Sequence, residues 1–301
     1  MLSYWEKRSL LRYDVIIVGA GITGLSTAIS LKETHKKLDV VVLERGLFPT
    51  GASTKNAGFA CFGSLTELLV DISNIGSAKT AELVELRWKG LQKLRSRLGD
   101  EKIDFKQLGG YELLVSGIEE FQERMIEVNN LLRPVFRQDV FMDQSQQLDA
   151  FGFRGYGSMI LNGMEGQIDT GQMMQSLWAY SKSFGVKILT GAEVESFTSG
   201  SKVRVTLKNQ TLLEAKALAL CTNAFTNQLL TQKVHLKPGR GLVLALKPSK
   251  ALRFNGTFHM EEGYYYFRDH EGFLLFGGGR NLDFETETST EFEVNEKIKY
   301  H

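Results

Sequence analysis

The sequence predicts an α/β fold with two interleaved domains, and three observations lead to this prediction. A run of β-branched residues, Val15–Val18, passes directly into glycines spaced as G-x-G-x-x-G. A second apolar run, residues 39–43, ends in Glu44. Later strand and helix patterns alternate without a low-complexity linker. We therefore expect a doubly wound nucleotide-binding domain, assembled from separated segments, and a second domain with a mixed or antiparallel sheet.

The glycine motif after the first run is typical of a Rossmann-like dinucleotide site. Gly19 permits a tight turn out of the strand, Gly21 lets a pyrophosphate approach the backbone, and Gly24 lets the next helix pack closely on the sheet. Glu44 follows Gly24 at the distance where a carboxylate accepts hydrogen bonds from an adenosine ribose. The remaining residues of the turn are predicted to face the same ligand: Ala20, Ile22 and Thr23. These residues alone suit FAD or NAD, and a strand–turn–helix with incidental glycines is the alternative.

Composition excludes several classes of protein. The 301 residues carry a formal net charge of +1 and a hydrophobic fraction of 43%, which is ordinary for a globular chain and gives no basic excess for nucleic acid. Cys61 and Cys221 do not read as a disulfide framework, so a reducing, cytoplasmic location is predicted. No apolar run has membrane-spanning length, residues 1–8 lack an apolar signal core, and no metal site is predicted.

Small and hydroxyl-bearing residues dominate positions 50–59, after the second strand. This stretch is too apolar for a solvated loop and too rich in glycine for a helix interior, so a buried loop is predicted. Small residues let backbone N–H groups approach a ligand, and the Ser53 and Thr54 hydroxyls can donate to phosphate oxygens.

The remaining elements follow from periodicity and turn residues. Helices are predicted over 77–99 with Gly99 as C-cap, over 118–132 with Pro134 as the stop, and over 170–184. Strands are predicted over 110–116, 185–189, 192–197, 203–207, 211–213 and 218–220. A hairpin over 263–280 places Tyr264 and Tyr266 on one face and Tyr265 and Phe267 on the other. Which face lines a pocket stays open, and an aromatic core hairpin is the alternative. The glycines that end it imply a close approach to the backbone.

Three segments together resemble the D-amino acid oxidase, glycine oxidase and sarcosine oxidase superfamily. They are residues 15–24, Glu44, and the stretch Gly51-Ala52-Ser53-Thr54-x-Asn56-Ala57-Gly58. The resemblance implies FAD rather than NAD, with the third segment running along the pyrophosphate toward the flavin ring. It implies cofactor contacts at Arg45, Ala52, Ser53, Thr54, Asn56, Ala57, Gly58, Val194, Thr222, Asn223, Ala224, Gly277 and Gly278. From the residues alone, the turn at Thr222-Asn223 could equally be structural.

The resemblance also implies a reaction. Family members oxidise a C–N bond of an amine or amino acid by hydride transfer to flavin N5, and the resulting imine hydrolyses; the electron acceptor is oxygen or a quinone. Tyr265 and Arg280 are the candidate catalytic residues. Arg280 and Arg268 could attract an anionic substrate, and the alternative for both is an exposed hairpin arginine. Trp5-Glu6-Lys7 and the strand end at 275–280 are most similar to the gamma-glutamylputrescine oxidase-like branch. An NAD-dependent dehydrogenase is the alternative enzyme.

The chain departs from the family pattern at three places. Lys55 stands where histidyl-flavin members carry histidine, and the late cysteine of the sarcosine oxidase type is missing, so FAD is expected to bind non-covalently. Cys61 and Cys221 are expected to be buried, inert thiols. Family members continue beyond the last residue, so the chain is expected to be truncated, and a non-catalytic FAD-binding fragment is a further alternative.

The predicted domain boundaries follow from these assignments. Residues 1–70 and 145–228 are assigned to the FAD-binding domain, and residues 71–144 and 229–301 to the substrate domain. The C-terminal FAD-binding segment of the family is expected to be absent.

Overall fold

The computed structural model describes residues 3–301 and divides the chain into two compact units. The first unit contains the residues up to Asn56 together with Thr170–Gly239, and the second contains Ala57–Asp169 and Arg240–His301. The predicted boundaries at 70/71, 144/145 and 228/229 therefore differ from the positions where these units change. The first two residues of the predicted 1–70 segment, which also begin the N-terminal stretch 1–8, lie outside the described residues.

The helices and strands are as follows. The helices are α1 Tyr4–Ser9, α2 Ile22–Thr34, α3 Ala52–Lys55, α4 Leu65–Ile75, α5 Ser77–Leu98, α6 Gln122–Phe136, α7 Leu148–Phe151, α8 Thr170–Ser183, α9 Thr226–Leu229 and α10 Glu296–Lys299. The strands are β1 Val15–Val18, β2 Val40–Leu43, β3 Phe59–Ala60, β4 Gly110–Leu114, β5 Phe141–Asp143, β6 Ser158–Asn162, β7 Gly166–Gln167, β8 Lys187–Leu189, β9 Val194–Thr198, β10 Val203–Leu207, β11 Leu212–Ala215, β12 Ala217–Leu220, β13 Leu242–Leu246, β14 Thr257–Met260, β15 Tyr265–His270 and β16 Phe273–Gly278.

A parallel sheet of order β12-β1-β2-β8 forms the centre of the first unit. Every residue of β2 is buried, as expected for a parallel strand that is covered on both faces. Helices α2 and α8 pack together beside this sheet. A small antiparallel sheet, β11-β10-β9, contributes Val205 and Leu213 to the same core as Ile16 and Val41.

A mixed sheet of order β13-β16-β15-β14-β4-β6-β5 forms the second unit. One face is aromatic, where Phe258 and Phe267 stack with ring centroids 4.8 Å apart and Tyr111 joins the same core. Thr257, His259 and Arg268 are also buried and alternate with Phe258 and Phe267 along β14 and β15, so they occupy the opposite, polar face. The α/β class with mixed sheets is therefore confirmed.

Three local predictions are wrong for physical reasons. Pro134 lies inside α6, because it stands in the last turn, where only one backbone hydrogen bond is lost, and the helix ends at Arg137 in the left-handed conformation. Residues 158–162, which fall in the 145–228 segment assigned to the FAD-binding domain, form β6, and β6 pairs with β4 and β5 in the second unit and not with the nucleotide sheet. Residues 52–55 were predicted as part of a buried loop, but they form the helical turn α3, and none of the four residues is fully buried.

Candidate functional site

A cavity of about 570 Å³ opens in the first unit where β1, β2 and β12 end. The carboxyl edge of a parallel sheet is where nucleotides bind in such folds. Many residues predicted from the sequence line this cavity: Gly19, Gly21, Ile22, Thr23, Glu44, Arg45, Ala52, Ser53, Val194, Thr222 and Asn223. The structure therefore brings residues from five separate stretches of the sequence to one site.

The glycines of the first turn are required by close backbone contacts. Gly19 has φ +103°, and a Cβ there would lie 2.5 Å from the carbonyl oxygen of Cys221. A Cβ on Gly24 would lie 1.9 Å from the carbonyl oxygen of Gly19, so only glycine lets α2 start this close to the strand. At Gly21, which borders the cavity, a Cβ would lie 2.8 Å from Ser53 Oγ. Each added side chain would thus displace the backbone or narrow the cavity.

Glu44 is held in place by the backbone of the two turns beside it. Its Oε2 accepts a hydrogen bond from Ala20 N at 3.1 Å, and its Oε1 accepts one from Gly46 N at 3.0 Å. The residue is only 8% exposed, yet it lines the cavity. Each carboxylate oxygen can accept a second hydrogen bond, so the group remains able to accept from a ribose hydroxyl.

The serine and threonine of α3 have different roles. Ser53 Oγ accepts a hydrogen bond from Ile22 N, 3.0 Å away at the start of α2, and keeps its own hydrogen for a ligand. Thr54 Oγ1 instead lies 3.1 Å from the carbonyl oxygen of Pro49 and 3.2 Å from that of Gly51, so its hydrogen is used within the loop. The predicted donation to phosphate is therefore more consistent with Ser53 than with Thr54.

The cavity lining includes Phe225, which was not predicted from the sequence. The guanidinium carbon of Arg45 lies 3.9 Å from the centroid of the Phe225 ring, a cation–π contact, and both residues line the cavity. Asn223 adopts a left-handed φ of +45°, which asparagine tolerates better than most residues, and Thr222 and Thr226 share a hydrogen bond of 3.0 Å. An aromatic residue directly after the polar turn was the available signal for Phe225.

Several predicted residues lie elsewhere. Those that are in the first unit without lining the cavity are Ala20, Gly24, Thr54, Asn56 and Ala224. Those that belong to the second unit are Ala57, Gly58, Gly277, Gly278, Tyr265 and Arg280.

The glycines at the end of β16 make room for the protein's own groups. A Cβ on Gly277 would lie 2.5 Å from the Tyr266 ring, and one on Gly278 would lie 2.1 Å from the carbonyl oxygen of Tyr264. Tyr266 contacts Phe59 edge-on, with the two ring centroids 5.6 Å apart, and burial raises the pKa of its hydroxyl. The close approach predicted for these glycines thus occurs, and the approaching groups are the two tyrosines.

The candidate catalytic residues have contacts of their own. The Tyr265 hydroxyl lies 3.5 Å from His301 Nδ1, and the guanidinium carbon of Arg280 lies 5.4 Å from the centroid of the Phe284 ring. Arg268 is not an exposed hairpin arginine, because it is only 2% exposed. Its Nη1 donates to two backbone carbonyls. Burial lowers its pKa. Its bonds to the backbone indicate a structural role and not the attraction of a substrate.

The polar face of the second sheet holds a buried ionic group that the sequence analysis did not identify. His259 Nε2 lies 2.7 Å from Glu165 Oε1, which also accepts from Thr257 Oγ1 at 2.8 Å. Burial lowers the pKa of His259, but the carboxylates of Glu165, Glu67 and Glu112 outweigh it and raise the pKa to about 9. Burial also raises the pKa of Glu112, which accepts hydrogen bonds from Thr66 and Ser64. His259 is therefore an imidazolium at neutral pH.

The two cysteines differ from the prediction of two buried thiols. Cys221 is half-buried and lines the cavity of the first unit, and burial raises the pKa of its thiol. Cys61, in the second unit, is exposed as a residue, yet burial of its sulfur and the nearby Glu165 and Glu67 carboxylates raise the pKa of its thiol well above the usual value. In residues 3–301, no helix is both long enough and apolar enough to cross a bilayer.

The cavity fits the adenosine and pyrophosphate parts of FAD. It combines a glycine turn that side chains would block, a fixed carboxylate at Glu44, and the Ser53 hydroxyl at the start of α2. Residues around it also include apolar surface for a base, from Leu43, Val194 and Leu229.

Comparisons with known proteins identify relatives of the chain. A curated relative, the bifunctional protein ThiO/ThiG from Synechocystis sp. (strain ATCC 27184 / PCC 6803 / Kazusa), is 27% identical over 246 residues, which are 78% of this chain but 33% of the relative. The chain thus spans about a third of that relative's length. Glycine oxidase from Geobacillus kaustophilus has a similar structure, with TM-score 0.63, 20% identity, and 89% of this chain matched to 71% of that one. L-proline dehydrogenase from P. horikoshii superposes with TM-score 0.69 at 17% identity, over 96% of this chain and 75% of that one.

These structural likenesses, all at low identity, bear on the fold. Residues 14–299 match the family described as FAD dependent oxidoreductase (DAO), which covers nearly the whole chain. This match confirms FAD over NAD as the cofactor. The chain belongs to the DAO family of FAD-dependent oxidoreductases.

Proposed function

We propose that the protein binds FAD non-covalently in the cavity of the first unit and oxidises the C–N bond of an amino acid or amine. The observation that carries this proposal is the cavity itself, which joins the glycine turn, Glu44 and Ser53 at the carboxyl edge of a parallel sheet. FAD held there would supply the two-electron oxidation of the C–N bond, as the hydride acceptor, and the imine product would hydrolyse in water.

The protein's own residues bind and orient the cofactor. Glu44 accepts hydrogen bonds from the ribose, Ser53 and the N–H groups at the start of α2 bind the pyrophosphate, and the Arg45–Phe225 stack forms one wall. Non-covalent attachment is supported by two residues. Lys55, at the end of α3, stands where histidyl-flavin members carry histidine, and burial raises the pKa of the Cys221 thiol that lines the cavity.

The substrate class follows from the relatives. Glycine oxidase and L-proline dehydrogenase both act on amino acids by name, so small amino acids are the first substrates to test. One is an oxidase and the other a dehydrogenase, which keeps both oxygen and a quinone in the proposal as acceptors. The gamma-glutamylputrescine oxidase-like branch stays a prediction and adds mono-acylated diamines to the panel.

On the substrate side we propose Tyr266 in place of the predicted Tyr265. Tyr266 is half-buried, shares the polar sheet face with His259, and contacts Phe59. Tyr265 has the opposite orientation in the strand and packs toward Phe276, with ring centroids 6.2 Å apart. Replacing Tyr266 by Phe is expected to raise KM, whereas Tyr265→Phe is the matched control on the other face.

The test begins with the absorption spectrum of the purified protein before and after acid precipitation. Flavin bands that move into the supernatant are expected, and flavin retained in the pellet would contradict non-covalent binding. The amino acid and amine panel then follows, with hydrogen peroxide measured under oxygen and dye or quinone reduction measured without it. Normal FAD binding with no turnover of any substrate would contradict the proposed oxidation and leave a binding function.

A further inference from the structure

Arg268 joins two backbone segments that are far apart in sequence. Its Nη1 donates to the carbonyl oxygen of Gly58 at 2.8 Å and to that of Ile168 at 2.9 Å. The same two segments are joined directly, because Ile168 N donates to Gly58 O at 2.9 Å. They flank the two-stranded ribbon β3–β7, in which Phe59 pairs with Gln167. The buried Arg268 guanidinium thus links the Gly58 and Ile168 carbonyls at one end of this ribbon.

Gly58 is the residue that lets this contact form. Its φ is +78°, and a Cβ would lie 2.4 Å from the Ile168 carbonyl oxygen and 2.9 Å from Arg268 Nη1. Glycine at this position is therefore explained by the arginine and the neighbouring carbonyl. Gly58 was predicted as a cofactor contact, and the structure gives it a second, independent requirement.

The two anchored carbonyls lie close in sequence to α3, which lines the cavity, and to α8, which packs on α3. Gly58 follows Asn56 by two residues, and residues 49–53 of the same continuous segment line the cavity. Ile168 precedes Thr170, the first residue of α8, by two residues, and α8 packs against both α2 and α3. Ser53, the last cavity residue of this segment, is five residues from Gly58, and α8 packs on the helix α3 that carries Ser53. A shift of the backbone at Gly58 or Ile168 is therefore expected to displace α3.

We infer that Arg268 is a positioning residue for FAD binding, which acts by fixing the backbone at Gly58 and Ile168. The inference rests on the proposed FAD site and adds to it a residue that lines no part of the cavity. It also predicts different effects on FAD affinity and on global stability, two properties that normally change together. Burying a guanidinium is unfavourable for folding, and Arg268 Nε is buried without a hydrogen-bond partner among the described residues. Arg268→Met removes this cost but also leaves the Ile168 carbonyl oxygen without its donor. Because the two effects oppose each other, global stability is expected to change little while cofactor binding weakens.

The experiment compares Arg268→Met, Arg268→Lys and a control, Arg253→Met, which removes an exposed arginine of the same unit. FAD dissociation constants are measured by flavin fluorescence, and unfolding midpoints are measured on the apoprotein. We expect Arg268→Met to raise the dissociation constant about tenfold, because binding must then order about one more residue of backbone, with Lys recovering part of the loss. The control is expected to match the wild type.

Amide hydrogen exchange on the apoprotein gives a readout that does not depend on the flavin. In Arg268→Met, exchange is expected to accelerate at Ile168 and over residues 50–58 and to stay unchanged in α5. A dissociation constant within twofold of the wild type, or acceleration spread over the whole second unit, would overturn the inference.

Two further outcomes are decisive. If Arg268→Met does not fold, wild-type exchange at Ile168 remains informative, since fast exchange there would also overturn the inference. A wild-type protein that binds no FAD would refute the proposed function itself.

Discussion

Raising the pH from 6 to 10 is expected to destabilise the protein through His259. The imidazolium lies 2.7 Å from Glu165 and has a pKa of about 9, against 6.5 for an exposed histidine. The folded state therefore binds this proton more tightly than the unfolded state. Its contribution is fully present below pH 6.5, falls between pH 6.5 and 9, and is lost above pH 9.

The size of the effect follows from the difference in pKa. At about 1.4 kcal/mol for each pH unit, the shift corresponds to about 3 kcal/mol of the free energy of unfolding. That is a large fraction of the stability of an ordinary domain. Deprotonation also leaves Glu165, which is completely buried, facing a neutral ring.

The assay is urea unfolding at closely spaced pH values, with His259→Gln as the variant that cannot titrate. Wild type is expected to lose stability steadily above pH 6.5. His259→Gln is expected to be about 3 to 5 kcal/mol less stable at pH 6, since it leaves a buried carboxylate unpaired, and to depend less on pH. The double variant His259→Gln/Glu165→Gln restores a neutral hydrogen-bonded pair and is expected to recover much of the loss.

One result would refute this role of His259. If wild type and His259→Gln lose stability in parallel between pH 6.5 and 9, the imidazolium does not provide the coupling. Other groups would then be responsible for the pH dependence.

Three further predictions concern the cofactor site and the packing. FAD is expected to slow alkylation of Cys221, which lines the cavity, and to leave the exposed Cys61 unaffected, as followed by mass spectrometry of labelled peptides; equal protection of both would contradict the site. Gly24→Ala is expected to lower stability by about 3 kcal/mol and FAD affinity with it, whereas Gly90→Ala, which meets no atom within 4 Å in α5, is expected to raise stability by up to about 1 kcal/mol. Arg240→Met removes both hydrogen bonds to the Glu287 carboxylate, whose side chain is 2% exposed. Thermal unfolding is expected to show a loss of about 3 kcal/mol in the free energy of unfolding, and a change below about 1 kcal/mol would argue against a structural ion pair.

The nucleotide-binding part of the fold could be predicted because its signals are local. Val15–Val18 and Val40–Leu43 are short, fully apolar runs, and their parallel pairing follows from the helix between them. The glycine turn and Glu44 follow in fixed order, so their meeting at one edge of the sheet needs no further information. The hairpin over 265–278 was predictable for the same reason, since its strands are adjacent in sequence.

The second unit was harder to predict because its contacts join distant segments. The strand at 158–162 has the same apolar character as a nucleotide-sheet strand, and only its pairing with β4 shows which sheet it enters. Glu165 and His259 are 94 residues apart, and neither carries a local signal of burial. Arg268 sits in a polar turn region of the sequence, where an exposed arginine is the ordinary expectation, yet the carbonyls that bind it come from residues 58 and 168.

The glycines show most clearly that a sequence can predict a constraint on the backbone without indicating which group causes it. The sequence indicated that something approaches the backbone at Gly58 and at Gly277, and the family resemblance suggested the cofactor. In the structure, the Arg268 guanidinium and the Ile168 carbonyl occupy the space at Gly58, and the Tyr266 ring occupies it at Gly277. At Gly24 the approaching group is the preceding turn itself. A ligand need not be present for any of these three glycines to be required, so they are requirements of the fold first, and their effect on FAD binding follows from the backbone positions that they make possible.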